Sequence, residues 1–159
     1  MKIFLTFHLI LLAAAVFAEP VSYYDSTGKM SGTASTNGSI TTYRDSSGKI
    51  TGSSIQSGNR ITFRDARGRI TGSAERNGSH TTYRDARGRI SGVATNNGDR
   101  ITYRDRAGRI TGSSAPSGNR TMYRNATGQL KGSVSSTEDN DLTRDAFFRV
   151  QPENKDTSR

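Results

Sequence analysis

ITFRDARGRITGSAERNGSH, residues 61–80, decides the fold, because the chain repeats it with variation. Three glycines mark this copy, Gly68, Gly72 and Gly78, and all 17 glycines of the chain fall on one of these three phases of a 20-residue period. Side chains alternate with period two rather than 3.6. Ile61, Phe63 and Asp65 face one way, Thr62 and Arg64 the other. In the second half Ile70, Gly72 and Ala74 share a face, opposite Arg69, Thr71 and Ser73. β-Branched and aromatic residues fill both segments, as strands require.

Turn signals separate the strands every ten residues. One is Asp-x-x-Gly, as at Asp65 to Gly68; the other is Asn77-Gly78, or Ser57-Gly58 in the preceding copy. Glycine and asparagine supply the positive φ that tight hairpins demand. Two-residue loops centred on Arg67-Gly68 and Asn77-Gly78 set Phe63 opposite Gly72 and Gly72 opposite Tyr83. Each such glycine then lies between two rings of one face. A one-residue slip, with Arg64 beside Ile70, is opposed by burial of the isoleucine. A three-residue loop with a glycine bulge at Asp-x-x-Gly is the second choice.

Outward from this copy the same phases recur. The aromatic position reads Tyr23, Tyr43, Phe63, Tyr83, Tyr103 and Tyr123, and two residues later stand Asp25, Asp45, Asp65, Asp85, Asp105 and Asn125. An apolar anchor follows at Met30, Ile50, Ile70, Ile90, Ile110 and Leu130. The expected architecture is all-β: a meander of tandem 20-residue β-hairpin repeats, about a dozen short strands, forming a solenoid-like or curled antiparallel sheet. One face carries Tyr, Ile, Gly and Ala, the other Arg, Lys, Thr and Ser. The apolar face must be buried, in a solenoid, in a closed barrel or against another copy. The six repeats occupy residues 19–134. Residues 135–150 hold a degenerate capping copy, in which Thr143–Val150 (TRDAFFRV) keeps phase with YRDARGRI, and residues 151–159 form a polar tail expected to be disordered.

Residues 1–18 read as a signal peptide. Lys2 precedes an apolar run from Ile3 to Phe17, and Val16-Phe17-Ala18 suits cleavage before Glu19. The expected location is secreted or periplasmic, with no transmembrane segment in the mature chain. Hydrophobic residues make up only 31% of the 159, so the repeats carry a thin core. There is no cysteine, which excludes a disulfide framework and thiolate metal sites. The net charge of +9 favours anionic partners or keeps a β-rich surface soluble.

At YYDSTGKM, residues 23–30, the chain resembles the tyrosine-aspartate repeats of Rhs-type and teneurin-like secreted proteins. Those carry a Tyr-Asp-x-x-Gly-Arg core at a similar period. Only the first copy has the adjacent Tyr24-Asp25; later copies insert an arginine, as in Tyr83-Arg84-Asp85, while keeping Asp-x-x-Gly. The resemblance implies β-hairpins in spiralling sheets and export. It implies no toxin shell, because this chain is too short to enclose a cargo.

The candidate binding residues are two cationic rows. Arg44, Arg64, Arg84, Arg104 and Arg124 recur on alternate strands of one face, ~10 Å apart. Lys49, Arg69, Arg89 and Arg109 form a second row nearer the turns. Such a face tracks a periodic polyanion: an acidic polysaccharide, lipopolysaccharide or nucleic acid. The bland reading is a solvated face that blocks edge-to-edge aggregation. The functional alternative is a structural protein that self-associates without a soluble ligand. The aspartates read as turn formers, and calcium would find only one carboxylate per loop. His80 is unrepeated, and no nucleophile–base pair or metal-ligand spacing occurs, so the expectation is a non-enzyme without a cofactor.

Overall fold

The computed structural model describes residues 20–135. The signal segment, the degenerate copy and the polar tail lie outside the described residues. Twelve strands run β1 (Val21–Asp25), β2 (Met30–Asn37), β3 (Ile40–Asp45), β4 (Ile50–Ser57), β5 (Arg60–Asp65), β6 (Ile70–Asn77), β7 (His80–Asp85), β8 (Ile90–Asn96), β9 (Ile101–Asp105), β10 (Ile110–Ser117), β11 (Arg120–Asn125) and β12 (Leu130–Ser135). Each pairs antiparallel with its sequence neighbours, and β1 pairs with β12, so the meander closes into a barrel. It is neither a solenoid nor an open curled sheet. Closure satisfies both edges at once and puts the apolar face inside.

The closing seam copies the interior pairings. Gly72 faces Asp85 and Ala74 faces Tyr83 between β6 and β7. Gly132 faces Asp25 and Val134 faces Tyr23 between β12 and β1. One register therefore runs around the ring without a break. The first copy departs from the others by holding Tyr24 where they hold arginine, and the Arg120 guanidinium lies 4.3 Å above the Tyr24 ring. Ser22 and Tyr24 pair with Ser135 and Ser133 across this seam. A cation–π contact thus lies over the closing pair of strands.

The Asp-x-x-Gly hairpin corrects the expected turn. The Asp65 N–H donates to the Arg69 carbonyl and the Gly68 N–H to the Asp65 carbonyl, both at 2.9 Å. The loop is therefore three residues, Ala66 to Gly68, with Gly68 at φ 80°. Its odd length shifts the register by one. Arg64 pairs with Ile70 while Phe63 still pairs with Gly72, which leaves Thr71 as the extra residue of a bulge. The bulge restores the ring–glycine pairing but turns Ile70 outward, where it is 49% exposed. Met30, Ile50, Ile90 and Ile110 are exposed in the same way. The slip that burial was expected to forbid occurs locally in each hairpin, and the aliphatic row is not core.

The second turn is also displaced. Asn77 pairs with His80, so the loop is Gly78-Ser79. Gly78 has φ 57°, and no non-glycine among the described residues has positive φ, as in a type II′ turn with glycine first. Relative to the expectation the register moves by two, which keeps every side chain on its face. Tyr83 meets Ala74 rather than Gly72, and Gly72 meets Asp85. A Cβ on Gly72 would stand 2.5 Å from the Arg84 carbonyl oxygen. Glycine here admits a neighbouring backbone, and Gly92 and Gly112 repeat the approach against Arg104 and Arg124.

Inside, all six aromatic positions are buried, together with Ala34, Ile61, Ala74, Ala94 and Val134. Large rings on one strand meet Gly, Ala, Ser or Val on the next, which lets a narrow interior fill. Each buried ring contributes about 1.5–3 kcal/mol by its apolar area. Where serine replaces alanine, a phenol uses it: Tyr43 Oη lies 3.0 Å from Ser54 Oγ and Tyr103 Oη 2.9 Å from Ser114 Oγ. Phe63, the ring that faces Ser54 from the other side, brings no hydroxyl. Burial pushes the Tyr43 phenol up to about 12 despite the Ser54 hydrogen bond.

Candidate functional site

The Asp-x-x-Gly loops gather at one end of the barrel and build the most highly charged part of the surface. Each loop is pinned by its aspartate. Asp65 Oδ1 accepts the N–H groups of Arg67 and Arg69, both at 2.9 Å. Asp25 and Asp45 also accept the hydroxyls of Thr27 and Ser47 at 2.6 Å. These bonds hold the carboxyls below the usual range, led by the Thr27 and Ser47 hydroxyls for Asp25 and Asp45. The backbone N–H groups of Arg69 and Arg109 lead for Asp65 and Asp105. Asn125 makes the same turn without charge, accepting the N–H groups of Thr127 and Gln129.

Both cationic rows lie on the outer wall behind these loops. In the first row Nη1 of Arg44, Arg64, Arg84, Arg104 and Arg124 donates to the carbonyl of Gly48, Gly68, Gly88, Gly108 and Gly128 at 2.8–3.1 Å. That single bond fixes the direction of each guanidinium, whose fork carries five donors. In the second row Arg69, Arg89 and Arg109 pair with Asp65, Asp85 and Asp105 at 2.7, 2.8 and 3.0 Å. Their side chains remain 71%, 66% and 81% exposed, so the pairing neutralises them weakly. Lys49 is exposed beside Asp45, whose Oδ1 accepts its backbone N–H at 3.0 Å.

The periodic reading found these nine and missed their companions. With Lys29, Arg67, Arg87, Arg106 and Lys131 they make fourteen cations at this end, against the five aspartates of the loops. Lys29 holds the second row's own phase in the first copy; the residues that the periodicity misses, Arg67, Arg87, Arg106 and Lys131, sit at loop tips or at the bulge, positions not repeated in every copy. The aliphatic row was also missed as surface, although Met30, Ile50, Ile70, Ile90 and Ile110 are 43–50% exposed among the arginines. Arg64 and Ile70 are direct cross-strand partners on this wall, as are Arg44 with Ile50, Arg84 with Ile90 and Arg104 with Ile110. A phase argument could have found this only by reading Asp-x-x-Gly as an odd-length loop.

The opposite end is different. There the hairpin through Asn97, Gly98 and Asp99 departs from its siblings, with the Gly98 N–H donating to Asn96 Oδ1 at 2.9 Å and β8 ending one residue early. A cleft of about 360 Å³ opens beside it, lined by Arg76, Arg100, Ile101 and Pro116 among others. His80 stands at this end, exposed, with Nδ1 3.2 Å from its neighbour Ser79. Among the described residues no group of three or more His, Cys, Asp or Glu is placed to hold a metal ion. No helix among them is long and apolar enough to cross a membrane.

No family model matches the chain, and no curated protein does. Among solved structures a protein from Arabidopsis thaliana aligns with a TM-score of 0.50 at 12% identity, over 84% of this chain and 89% of that one. At that identity the likeness is one of fold alone. None of this bears on the resemblance to tyrosine-aspartate repeats.

Proposed function

We propose that the protein is an exported binding module that holds anionic polymers on its cationic collar, without catalysis. The observation that carries this reading is the pre-aimed arginine row: five guanidiniums, each hooked to the carbonyl of its own loop, all facing outward on one end of a closed ring. A rigid row loses little side-chain freedom on binding, which favours affinity per contact. Acidic polysaccharide, lipopolysaccharide and nucleic acid share the repeated negative charge that fits this spacing. The rival reading, a self-assembling structural protein, loses the sheet edges it would use, since β1 and β12 pair with each other.

The test is salt-dependent retention on immobilised heparin and on duplex DNA. The comparison is Arg64→Gln/Arg84→Gln/Arg104→Gln, which removes the three charges and leaves a polar side chain on each strand. On DNA the triple variant lowers the slope of log K against log salt by about 3, with an unchanged circular dichroism spectrum. Equal retention of variant and wild type would remove the collar from the function.

A further inference from the structure

We infer that the collar docks on an anionic lipid surface through its third, fourth and fifth units, with Ile70, Ile90 and Ile110 entering the interface between flanking arginines. This deepens the binding reading above and rests on it. A soluble polyanion needs only charge, and nothing in its recognition accounts for a row of exposed aliphatics. Single exposed hydrophobics are ordinary. Here the same phase is apolar in every copy, and in the first five the bulge turns it to solvent rather than to the core. Each of the three isoleucines has an arginine as its direct cross-strand partner, so apolar and cationic groups alternate along the wall. That alternation matches an interface in which phosphates lie above acyl chains: guanidinium takes phosphate, and the aliphatic group enters the boundary beneath it.

Charge chooses the occupant and the face. A second copy would bring its own excess of cations against this one, whereas an anionic bilayer complements it. The third to fifth units add Arg67, Arg87 and Arg106 near their loop tips, while the first unit holds Tyr24 and the sixth Asn125 and Gln129 at the corresponding charged positions. The isoleucines stand on the wall and not at the tips, so the barrel meets the surface tilted, with neighbouring units touching together. Adjacent aliphatics are ~10 Å apart, two strand spacings.

The experiment is cosedimentation of the purified protein with vesicles of phosphatidylcholine alone, and of phosphatidylcholine with one quarter phosphatidylglycerol, alongside the heparin assay. Wild type should sediment with the anionic vesicles only. Ile70→Thr/Ile90→Thr/Ile110→Thr keeps β-branched side chains in the strands. It should bind anionic vesicles at least about tenfold more weakly while holding heparin as wild type does. As a second readout, Ile90→Trp in this tryptophan-free chain should show blue-shifted emission with anionic vesicles. Heparin retention without vesicle binding would overturn the lipid inference and leave the polymer reading standing; loss of both would end both. Vesicle binding indifferent to the threonine variant, unshifted Ile90→Trp emission, or oligomers at high salt in place of vesicle binding would each overturn it.

Discussion

Replacing Gly72 with alanine should reverse the usual sign of that change. In an open strand interior the swap stabilises by about 0.5–1 kcal/mol. Here the new Cβ would stand 2.5 Å from the Arg84 carbonyl oxygen, about 0.8 Å inside the ~3.3 Å at which carbon and carbonyl oxygen ordinarily meet. The obstacle is backbone, so relief requires β6 and β7 to part. A ladder bond of ~2.9 Å stretched by that much leaves hydrogen-bonding range, and each bond lost costs about 0.5–1.5 kcal/mol net. Added to local overpacking of about 1–3 kcal/mol, partly relieved by the same movement, the expected loss is about 2–3 kcal/mol. For a domain of this size that lowers Tm by about 10 °C. Thermal and urea unfolding followed by circular dichroism measure it. The control is Phe63→Leu, since Phe63 faces Gly72 from the other side. If the glycine existed to make room for the ring, the double variant would recover most of the loss; a backbone clash leaves it unrecovered. An unchanged or raised Tm for Gly72→Ala, or rescue by Phe63→Leu, would refute the reasoning.

Three further outcomes follow from the same geometry. Tyr43 is held neutral by burial with its pKa raised to about 12, so its contribution is complete below the unfolded value near 10 and is lost as pH climbs through 12. The loss is about 2–3 kcal/mol, seen as an alkaline limb in urea midpoints that Tyr43→Phe/Ser54→Ala flattens. The loop aspartates are shifted the other way, so their stabilisation is present above the unfolded carboxylate value and disappears as pH falls through the lower folded ones. Asp65→Asn/Asp105→Asn keeps the turn chemistry that Asn125 already uses, and should make the acid limb of the urea midpoints shallower. Tyr24→Arg removes a contact of about 0.5–1 kcal/mol and sets like charges over the seam. Amide exchange should then accelerate in β1 and β12 before any other pair, and uniform exchange around the ring would contradict this.

Much of the fold was legible because faces depend on parity alone. Tyr23 through Tyr123 were assigned to the core from period two, and the two-residue displacement at Asn77-Gly78 left that assignment intact. Ile70 was misplaced because one extra residue, Thr71, changes parity, and the bulge that absorbs it has no marker except the Asp-x-x-Gly spacing of the preceding loop. The arginine rows were legible as an outward face for the same reason the tyrosines were legible as core. Their hooks to the loop carbonyls were not, since these depend on the αL glycine bending each loop back toward its own strand. Barrel closure was open among three possibilities, because hairpin chemistry is local and the meeting of β1 with β12 is not. The seam carries one mark in the sequence: the arginine phase is broken at Tyr24, the residue over which Arg120 stacks.

The unbroken register across β12 and β1 has a consequence for how such a molecule changes over generations. An antiparallel ring closes only on an even number of strands, so duplication or deletion of one whole 20-residue unit preserves the join while widening or narrowing the lumen by two strands. Half a unit would bring two strands together head to head in the wrong sense. The sizes open to a ring of this kind are therefore quantised in whole numbers of hairpins.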